Sequence, residues 1–389
     1  MHLVFATSIV PCGTPETGYE IANAAMLDAL ARAGVRVTVL GFTWPGKAPS
    51  NPDSTVVLGS VDVTTAGAPA GQKLRWLAAA VSHGLTFGSA KLRIVSPAAV
   101  RSALDALQPI DGVILNSVQL AGAFEGVFAD LPSVYVAHNV EYLSAEENAA
   151  ASASLPGRLL YRREARLLKA LEERLCSRAR FVFTLAEEDR PLLGVADDGR
   201  SAALPLVTRA AAPARVTREP VYDAALIGTW TWQPNLIGLE WFLREVVPLL
   251  PDGFTVAVAG RAPAGLAEAH RRVEFVGRVP DATEFVRRGR VIPLISRAGT
   301  GVQLKTIETF ELGLPSVATS RSVRGIAQLP GNCVIADEPR AFADALQKMS
   351  RDGRDLDGSA FHRAQRTALD RQIRRGLAVF GRVPEGAAA

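Results

Sequence analysis

The sequence contains few cysteines and no long uninterrupted apolar run, and each absence excludes a class of protein. Its 389 residues include three cysteines, Cys12, Cys176 and Cys333, which lack the spacing of metal ligands. Scattered cysteines in odd number indicate a reducing compartment rather than a disulfide framework. No stretch approaches the ~20 apolar residues that a membrane-spanning helix needs. We therefore expect a cytoplasmic protein with no metal site.

Charge of one sign is not concentrated along the chain either. The 43 lysines and arginines exceed the 39 acidic residues by a net charge of +4. This weak excess argues against nucleic acid as a partner, which requires a dense basic stripe. It suits smaller anionic partners, such as nucleotide phosphates or acidic lipid headgroups. The length favours two or three domains, and the 48% hydrophobic content is globular.

The amino-terminal half alternates short apolar runs with polar or helical segments, a pattern typical of doubly wound α/β domains. The first ten residues are apolar without the basic region of a signal peptide, so we interpret His2–Val10 as a buried strand. A helix is predicted at Tyr19–Ala33, ended by Gly34. The further predicted strands are Val35–Leu40, Gly112–Leu115, Ser133–Ala137 and Arg180–Thr184.

A second series of the same kind follows an alanine-, proline- and arginine-rich stretch. Its predicted strands are Tyr222–Ile227, Phe254–Ala259, Val273–Phe275, Val291–Ile295, Pro315–Ala318 and Cys333–Ala336, with helices at Gly238–Val247, Thr306–Leu312 and Pro339–Met349. We predict two Rossmann-like domains, at 1–205 and 221–364, joined by a linker at 206–220 and facing each other across a ligand-binding cleft. We also predict that the C-terminal helix, within 365–389, crosses back onto the first domain, before a disordered tail from Pro384.

The segment from Ile292 to Ser320 contains the most specific pattern. A buried strand is followed by Gly299 and Gly301, which permit close approach of a phosphate to the backbone. A helix then begins, and its N-terminus favours anions. Lys305 adds a positive charge near the turn, and Glu308, about one helical turn further, could accept hydrogen bonds from ribose hydroxyls. The simpler alternative is an ordinary strand–helix junction.

This order of residues resembles the GT-B-fold retaining glycosyltransferases of glycosyltransferase family 4, of the exopolysaccharide or surface-glycan type. Their second domain carries a Glu-x7-Glu signature whose helix has the form K-x-x-E-x-x-x-x-G-x-P. The second glutamate matches Glu308, and the closing turn matches Gly313 and Pro315. The first glutamate falls at Thr300, which leaves the identity of the donor sugar open. Members of the exopolysaccharide type share a Gly-Thr-Gly loop and a lysine here, so we do not interpret this departure as loss of activity.

The resemblance extends to two further segments of the second domain. Leu226–Pro248 resembles the first strand, loop and helix of the donor domain, but lacks the basic residues that relatives place in that loop. Trp230 and Trp232 in this loop are packing residues or stack on a ligand, and the sequence leaves both open. Val273–Pro280 resembles the strand and loop that hold the nucleobase. The donor-binding residues implied by the resemblance are Gly228, Thr229, Val279, Gly299, Thr300, Gly301, Val302, Gln303 and Glu308.

In the first domain the resemblance implies one side chain and one glycine. His138 follows a strand end, where the family has a histidine facing the donor sugar, so His138 and Lys305 are the implied catalytic residues. The alternative for His138 is a cap on the next helix. Gly18 lies where relatives let substrate or acceptor phosphates approach the backbone. With no metal motif in the sequence, we expect metal-independent catalysis without a cofactor.

Basic and apolar residues alternate between Lys73 and Arg101, including Leu74, Trp76 and Phe87. This stretch is either an amphipathic helix and loop packed on its own domain, which we favour, or a peripheral contact with an anionic membrane. The function that we expect is transfer of a hexose-type unit from a nucleotide diphosphate sugar to a saccharide or lipid-linked acceptor in surface-glycan synthesis. A non-catalytic nucleotide-binding assembly subunit and a nucleotide-sugar epimerase are the alternatives.

Overall fold

The protein is described by a computed structural model over residues 1–15, 17–65, 67–197 and 199–381. It forms two compact units. The first unit contains residues 1–206 and the described residues from Thr367 onward, and the second contains Val207–Arg366. No helix within these ranges combines the length and the apolar character that a bilayer span requires. The tail for which we expect disorder, from Pro384, lies outside the described residues.

The first unit is built on a seven-stranded parallel sheet. Its strands are β1 (His2–Ile9), β2 (Arg36–Thr43), β3 (Thr55–Ser60), β4 (Gly112–Asn116), β5 (Ser133–Ala137), β6 (Phe181–Thr184) and β7 (Ser201–Ala203). They are ordered β3-β2-β1-β4-β5-β6-β7. The central strands are almost entirely buried, as expected when helices cover both faces of a parallel sheet.

The helices of the first unit connect these strands. They are α1 (Gly18–Arg32), α2 (Ala70–Ser82), α3 (Phe87–Lys91), α4 (Pro97–Asp105), α5 (Val118–Ala123), α6 (Glu125–Phe128), α7 (Glu141–Ala151), α8 (Leu155–Arg178) and α9 (Asp189–Leu192). Helix α1 begins with a capping box, in which Thr17 and Glu20 each satisfy the other's backbone N–H. It ends at Gly34, whose φ of +71° is easily reached only without a side chain.

The second unit repeats the same plan with six parallel strands. They are β8 (Tyr222–Ile227), β9 (Val256–Ala259), β10 (Val273–Gly277), β11 (Gly289–Leu294), β12 (Ser316–Ala318) and β13 (Cys333–Ile335). The helices are α10 (Gln233–Trp241), α11 (Leu266–Ala269), α12 (Ala282–Arg287), α13 (Leu304–Glu311), α14 (Pro339–Asp352) and α15 (Gly358–Leu377). The strand order is β10-β9-β8-β11-β12-β13, so two Rossmann-like sheets are confirmed.

The predicted strands are all present, with small shifts at their ends, but two edge strands were not predicted. Strand β3 is half-exposed and β7 has only three residues, so neither produces a clear apolar run. The predicted start of α10 at Gly238 is wrong, because the helix begins at Gln233. Pro234 lies in its first turn, where a missing N–H costs nothing. Gly238 lies inside the helix instead, where a Cβ would stand 2.2 Å from the carbonyl oxygen of Ile295.

The stretch interpreted as a linker has no helix or strand from residue 207 to 220, yet it is bound to the second unit. Arg218 forms an ion pair with Asp355 and donates hydrogen bonds to three backbone carbonyls near the start of β11. The Thr208 N–H donates to the buried carboxylate of Glu311 at 2.9 Å. These contacts make residues 207–220 part of the second unit.

The C-terminal part of α15 belongs to the first unit, as predicted. There Asp370 pairs with Arg32 of α1, with 2.6 Å between the carboxylate and the guanidinium. Leu369, Ile373 and Leu377 are buried. Gly376 lies so close to Phe183 that a Cβ would stand 2.2 Å from the ring. This part of the helix therefore packs on the first sheet despite its high arginine content.

Candidate functional site

The switch point of the second sheet lies between β8 and β11, from which the strand order proceeds in opposite directions. In doubly wound sheets, ligands bind at the carboxyl ends of the strands at such a point. Residues 228–232 follow β8, and residues 295–303 follow β11. The sequence pattern singled out from Ile292 onward therefore lies at the switch point of the second unit.

The turn after β11 depends on glycine. Gly299 has φ +87° and Gly301 has φ +74°, values that residues with a side chain rarely adopt. Arg321 donates a 3.1 Å hydrogen bond to the carbonyl of Gly299 and holds this part of the turn. Helix α13 begins directly afterwards, and its N-cap residue Gln303 makes no side-chain capping hydrogen bond. The first-turn amides of a helix lack intrahelical acceptors, so this N-terminus suits an anion.

Lys305 places a positive charge in the first turn of α13. Its Nζ lies 3.3 Å from Oδ1 of Asn235 and 5.5 Å from the ring centroid of Trp230. Within the part of the chain that the structure describes, no acidic side chain pairs with it. Burial lowers the pKa of Lys305 to about 8. A largely desolvated ammonium group without a counter-ion is expected to attract an anionic ligand strongly.

The loop after β8 contains one packing tryptophan and one exposed tryptophan. Trp230 is buried, and its Nε1 donates a 2.8 Å hydrogen bond to the carbonyl of Ala259. Trp232 is 52% exposed. The packing interpretation therefore holds for Trp230, which also lies within cation–π distance of Lys305. Gly228 is close to the Trp230 ring, and Thr229 is exposed beside it.

Glu308 follows Lys305 by three residues on α13, and its carboxylate already has two partners. Arg209 donates to Oε1 at 2.5 Å, and the Thr283 hydroxyl donates to the same oxygen at 3.1 Å. Arg209 comes from the stretch that we interpreted as a linker, so the sequence gave no indication of this pair. A ribose at Glu308 would share the carboxylate with Arg209.

The remaining implied donor residues lie at the same edge of the second sheet. Thr300, Val302 and Gln303 belong to the turn before α13 and are half-buried. Val279 is half-buried in the turn between β10 and α12. The structure thus brings this set together at carboxyl ends of parallel strands, with backbone amides and Lys305 as its anion-binding groups.

In the first unit, His138 lies just after β5 beside Asn116, the last residue of β4. Its Nε2 is 2.8 Å from Oδ1 of Asn116, and its ring centroid is 5.0 Å from that of Tyr19. Burial lowers the pKa of His138 to about 4, so the ring is neutral at neutral pH. A neutral histidine can accept as well as donate a hydrogen bond.

The amide of Asn116 is oriented by its other contacts. Its Nδ2 donates to Oδ1 of Asn23 at 2.8 Å and to Oγ1 of Thr7 at 3.1 Å. Oδ1 of Asn116 is therefore the acceptor, Nε2 of His138 carries the proton, and Nδ1 is the ring's acceptor atom. The next residue, Ser117, has a φ of +73°, a strained conformation of the kind found at functional sites.

The sequence analysis missed this polar network. Asn116 ends an apolar run, and polar residues at the carboxyl ends of adjacent parallel strands were the available signal. Gly18 is the first residue of α1 and is exposed. The Glu20 carboxylate accepts the Thr17 N–H at 2.9 Å beside it, so a negative charge already occupies this N-terminus.

The stretch from Lys73 to Arg101 divides into a packed part and an exposed part. Lys91 and Trp76 are buried, and Lys91 Nζ donates to the carbonyl of Val63 and lies 4.9 Å from the Trp76 ring centroid. Leu74 and Val81 of α2 are exposed by 66% and 59%. Most of the aromatic residues here therefore stabilise the first unit, and only one face of α2 presents apolar side chains to solvent.

Within the described ranges, no group of three or more histidine, cysteine, aspartate and glutamate side chains is arranged to hold a metal ion. Metal-independent catalysis stays a prediction.

Residues 223–352 match the family model described as glycosyl transferases group 1. This segment contains β8 to α14, including the glycine turn, Lys305 and Glu308. A search of curated proteins gave no match to the sequence. The family match supports a glycosyltransferase.

Three solved structures share the fold over almost the whole chain. Alr3699/HepE of Anabaena in complex with UDP-glucose is 16% identical, with 97% of this chain and 99% of that chain covered and a TM-score of 0.56. TarM of S. aureus, solved with UDP and saccharides, is 10% identical, with 98% and 100% covered and a TM-score of 0.61. WaaG, a glycosyltransferase involved in lipopolysaccharide biosynthesis, is 16% identical, with 99% and 100% covered and a TM-score of 0.58. The chain thus has the GT-B fold, and its second unit contains the segment that matches glycosyl transferases group 1.

Proposed function

We propose that this protein transfers a hexose-type unit, with retention at the anomeric carbon, from a nucleotide diphosphate sugar to a saccharide or lipid-linked acceptor in surface-glycan synthesis. The observation that carries the proposal is Lys305, a buried ammonium group with a lowered pKa and no acidic partner within the described residues. It lies in the first turn of α13, directly after the glycine turn. This arrangement suits a diphosphate, which brings the negative charge that the site lacks.

In this proposal the second unit binds the donor. Backbone amides of Gly299–Gln303 and Lys305 hold the diphosphate, Glu308 accepts from the ribose hydroxyls, and the backbone at Val279 holds the base. Because the positive groups are fixed before the donor arrives, they stabilise the charge that develops on the departing diphosphate without reorganising. The family match over residues 223–352 supports this assignment.

The proposed transfer breaks the bond between the anomeric carbon and the diphosphate oxygen and forms one to the acceptor oxygen on the same face. The acceptor hydroxyl proton passes to the departing phosphate oxygen. His138, neutral at neutral pH, accepts a hydrogen bond from the donor sugar through Nδ1. No bound metal is required, because Lys305 and the helix N-terminus provide positive charge.

The proposal is tested by incubating the protein with uridine, guanosine and thymidine diphosphate sugars, with and without saccharide and lipid-linked acceptors. We expect nucleoside diphosphate release that depends on acceptor, persists with EDTA, and gives a product of unchanged anomeric configuration by NMR. Lys305→Ala should remove most of this release, while Lys348→Ala, an exposed lysine of α14, should not.

Two alternative functions are separated by the same assay. The departure at Thr300 from the family glutamate favours testing a nucleotide-binding assembly subunit, which would bind donor but release no nucleoside diphosphate. An epimerase would change the sugar and leave the nucleotide attached.

We further propose that the protein is cytoplasmic and contacts the inner face of the membrane through α2. Exposed Leu74 and Val81 are accompanied by exposed Lys73 and Arg75 on this helix, a combination that suits anionic lipid. Flotation with vesicles containing phosphatidylglycerol should capture the wild type and lose the Leu74→Glu/Val81→Glu variant. Equal capture by purely zwitterionic vesicles would contradict the proposal.

A further inference from the structure

A second basic site lies next to the glycine turn, at the carboxyl ends of β11, β12 and β13. It is a cavity of about 420 Å³, lined by Ser296, Arg297, Ser320, Arg321, Arg324 and Asp337. Three guanidinium groups against one carboxylate give this lining an excess of positive charge. A concave, polar site with convergent cations is expected to bind an oxyanion.

The arginines are held in place by backbone and aromatic contacts. Arg297 donates one hydrogen bond, to the carbonyl of Asp337 at 2.9 Å, and its guanidinium carbon lies 4.7 Å from the ring centroid of Trp241. It makes no other hydrogen bond within the described part of the chain, so further N–H donors are available to a ligand. A planar guanidinium fixed at one edge is suited to bidentate recognition of a carboxylate or phosphate.

The single carboxylate in the cavity opposes an anion. Asp337 accepts hydrogen bonds from the backbone and the hydroxyl of Ser320, at 2.9 and 2.5 Å. These hydrogen bonds, and the nearby charge of Arg297, lower the pKa of Asp337 and keep it ionised at neutral pH. Removing its charge should therefore strengthen binding of an oxyanion, while removing an arginine should weaken it.

This cavity is separate from the proposed diphosphate site. Lys305 contacts Asn235 and Trp230, which follow β8, whereas the arginines follow β11 and β12 on the other side of the strand order. The glycine turn lies between the two, and Arg321 bonds to the carbonyl of Gly299. A ligand whose diphosphate lies at Lys305 thus needs a second anionic group to use the arginines.

We propose that Arg297, Arg321 and Arg324 form an oxyanion subsite that binds a carboxylate on the donor sugar. The inference rests on the proposed function, because it takes the diphosphate to bind at Lys305. The sugar of such a donor is attached directly to the diphosphate, which places its substituents beside the glycine turn. The substrate class is therefore a nucleotide diphosphate sugar acid.

The test uses matched donor pairs that differ in the carboxylate: UDP-glucuronate with UDP-glucose, and GDP-mannuronate with GDP-mannose. Binding is measured by titration calorimetry on the full-length protein. A charge-assisted hydrogen bond in a partly enclosed site should make the acid bind about tenfold more tightly. This preference should be lost in Arg297→Gln and Arg324→Gln, partly kept in Arg297→Lys, and increased in Asp337→Asn.

The matched control is Arg351→Gln, which removes an exposed positive charge in the last turn of α14. It should leave the preference unchanged. Equal binding of acid and neutral donors, or the same preference in Arg297→Gln as in the wild type, would overturn the subsite and leave the proposed function intact. Binding of no nucleotide sugar at all would overturn the proposed function together with the subsite.

Discussion

Oδ1 of Asn116 and Nε2 of His138 lie 2.8 Å apart, and this hydrogen bond determines which ring nitrogen carries the proton. Replacing Asn116 with aspartate changes the charge and keeps the shape. A carboxylate beside the ring favours the imidazolium, so the pKa of His138 should rise from about 4 toward or above its ordinary 6.5. The protonated ring loses its acceptor, so transferase activity should fall as the pH drops through the new pKa. Ring nitrogen shifts in a ¹⁵N-labelled protein measure this titration.

Asn116→Leu is the matched control for that variant, because it removes the hydrogen bond without adding charge. We expect loss of the fixed tautomer, seen as averaged ring nitrogen shifts, with no new acid-side titration. An unchanged titration of His138 in Asn116→Asp would contradict the assignment of this pair.

Lys305 should serve binding at a cost to stability. Its pKa of about 8 in the folded protein lies below the ordinary 10.5, so the unfolded chain binds more protons between these values and stability rises with pH there. Lys305→Met removes the buried charge and should raise the free energy of unfolding near neutral pH by about 1 kcal/mol. Urea denaturation at two pH values measures both effects.

The same substitution should lower the transfer rate about 100-fold, because a fixed positive group at the departing diphosphate is lost. Wild-type donor affinity should also fall as the pH rises through the Lys305 pKa. A Lys305→Met protein that is more stable and fully active would show that the lysine has no role in transfer.

Gly299 and Gly265 provide a matched pair for testing the turn. Their φ values are +87° and +83°, and neither has an atom within 3.4 Å of the position of a Cβ. Alanine should therefore cost each site a similar backbone strain of about 1 kcal/mol. Only Gly299→Ala should also weaken binding of a nucleoside diphosphate, because Gly265 begins α11 outside the turn. Equal loss of affinity in both variants would indicate a global effect.

The ion pair between Arg209 and Glu308 should matter more for the donor than for the fold. Both side chains remain about one-third exposed, so the pair should contribute at most about 1 kcal/mol to stability. Glu308→Ala should raise the KM for the donor and depress activity, because the ribose loses its acceptor. Arg209→Ala should change donor KM without loss of folding. Donor KM and urea midpoints for both single variants and the double variant separate the two contributions.

The sequence predicted the parts of the fold that local pattern encodes. Tyr222–Ile227 and Ser133–Ala137 are apolar runs buried on both faces, and their ends agree with the structure. Gly299 and Gly301 were predicted as a turn because a backbone with positive φ requires that residue type. Helix α10 was placed too late, because Gly238 was taken for its start rather than for a point of close packing.

The contacts that the sequence did not reveal join residues far apart in the chain. Arg209 reaches Glu308 across 99 positions, and Asn116 reaches Thr7 across 109. Neither residue belongs to a local motif, and a lone arginine in a loop or asparagine after a strand is common. Only the strand order brings such residues to one edge, so they become visible once the sheet is assembled.

The two sheets share one strand order through six strands, and β4 of the first corresponds to β11 of the second. The residues after these strands are therefore topological counterparts: Asn116 and Ser117 in one unit, Ile295 and Ser296 in the other. One architecture is used twice, once to orient neutral polar groups and once to assemble cationic ones. Functional positions in other doubly wound proteins can thus be located by counting strands from the switch point, even where no sequence similarity remains.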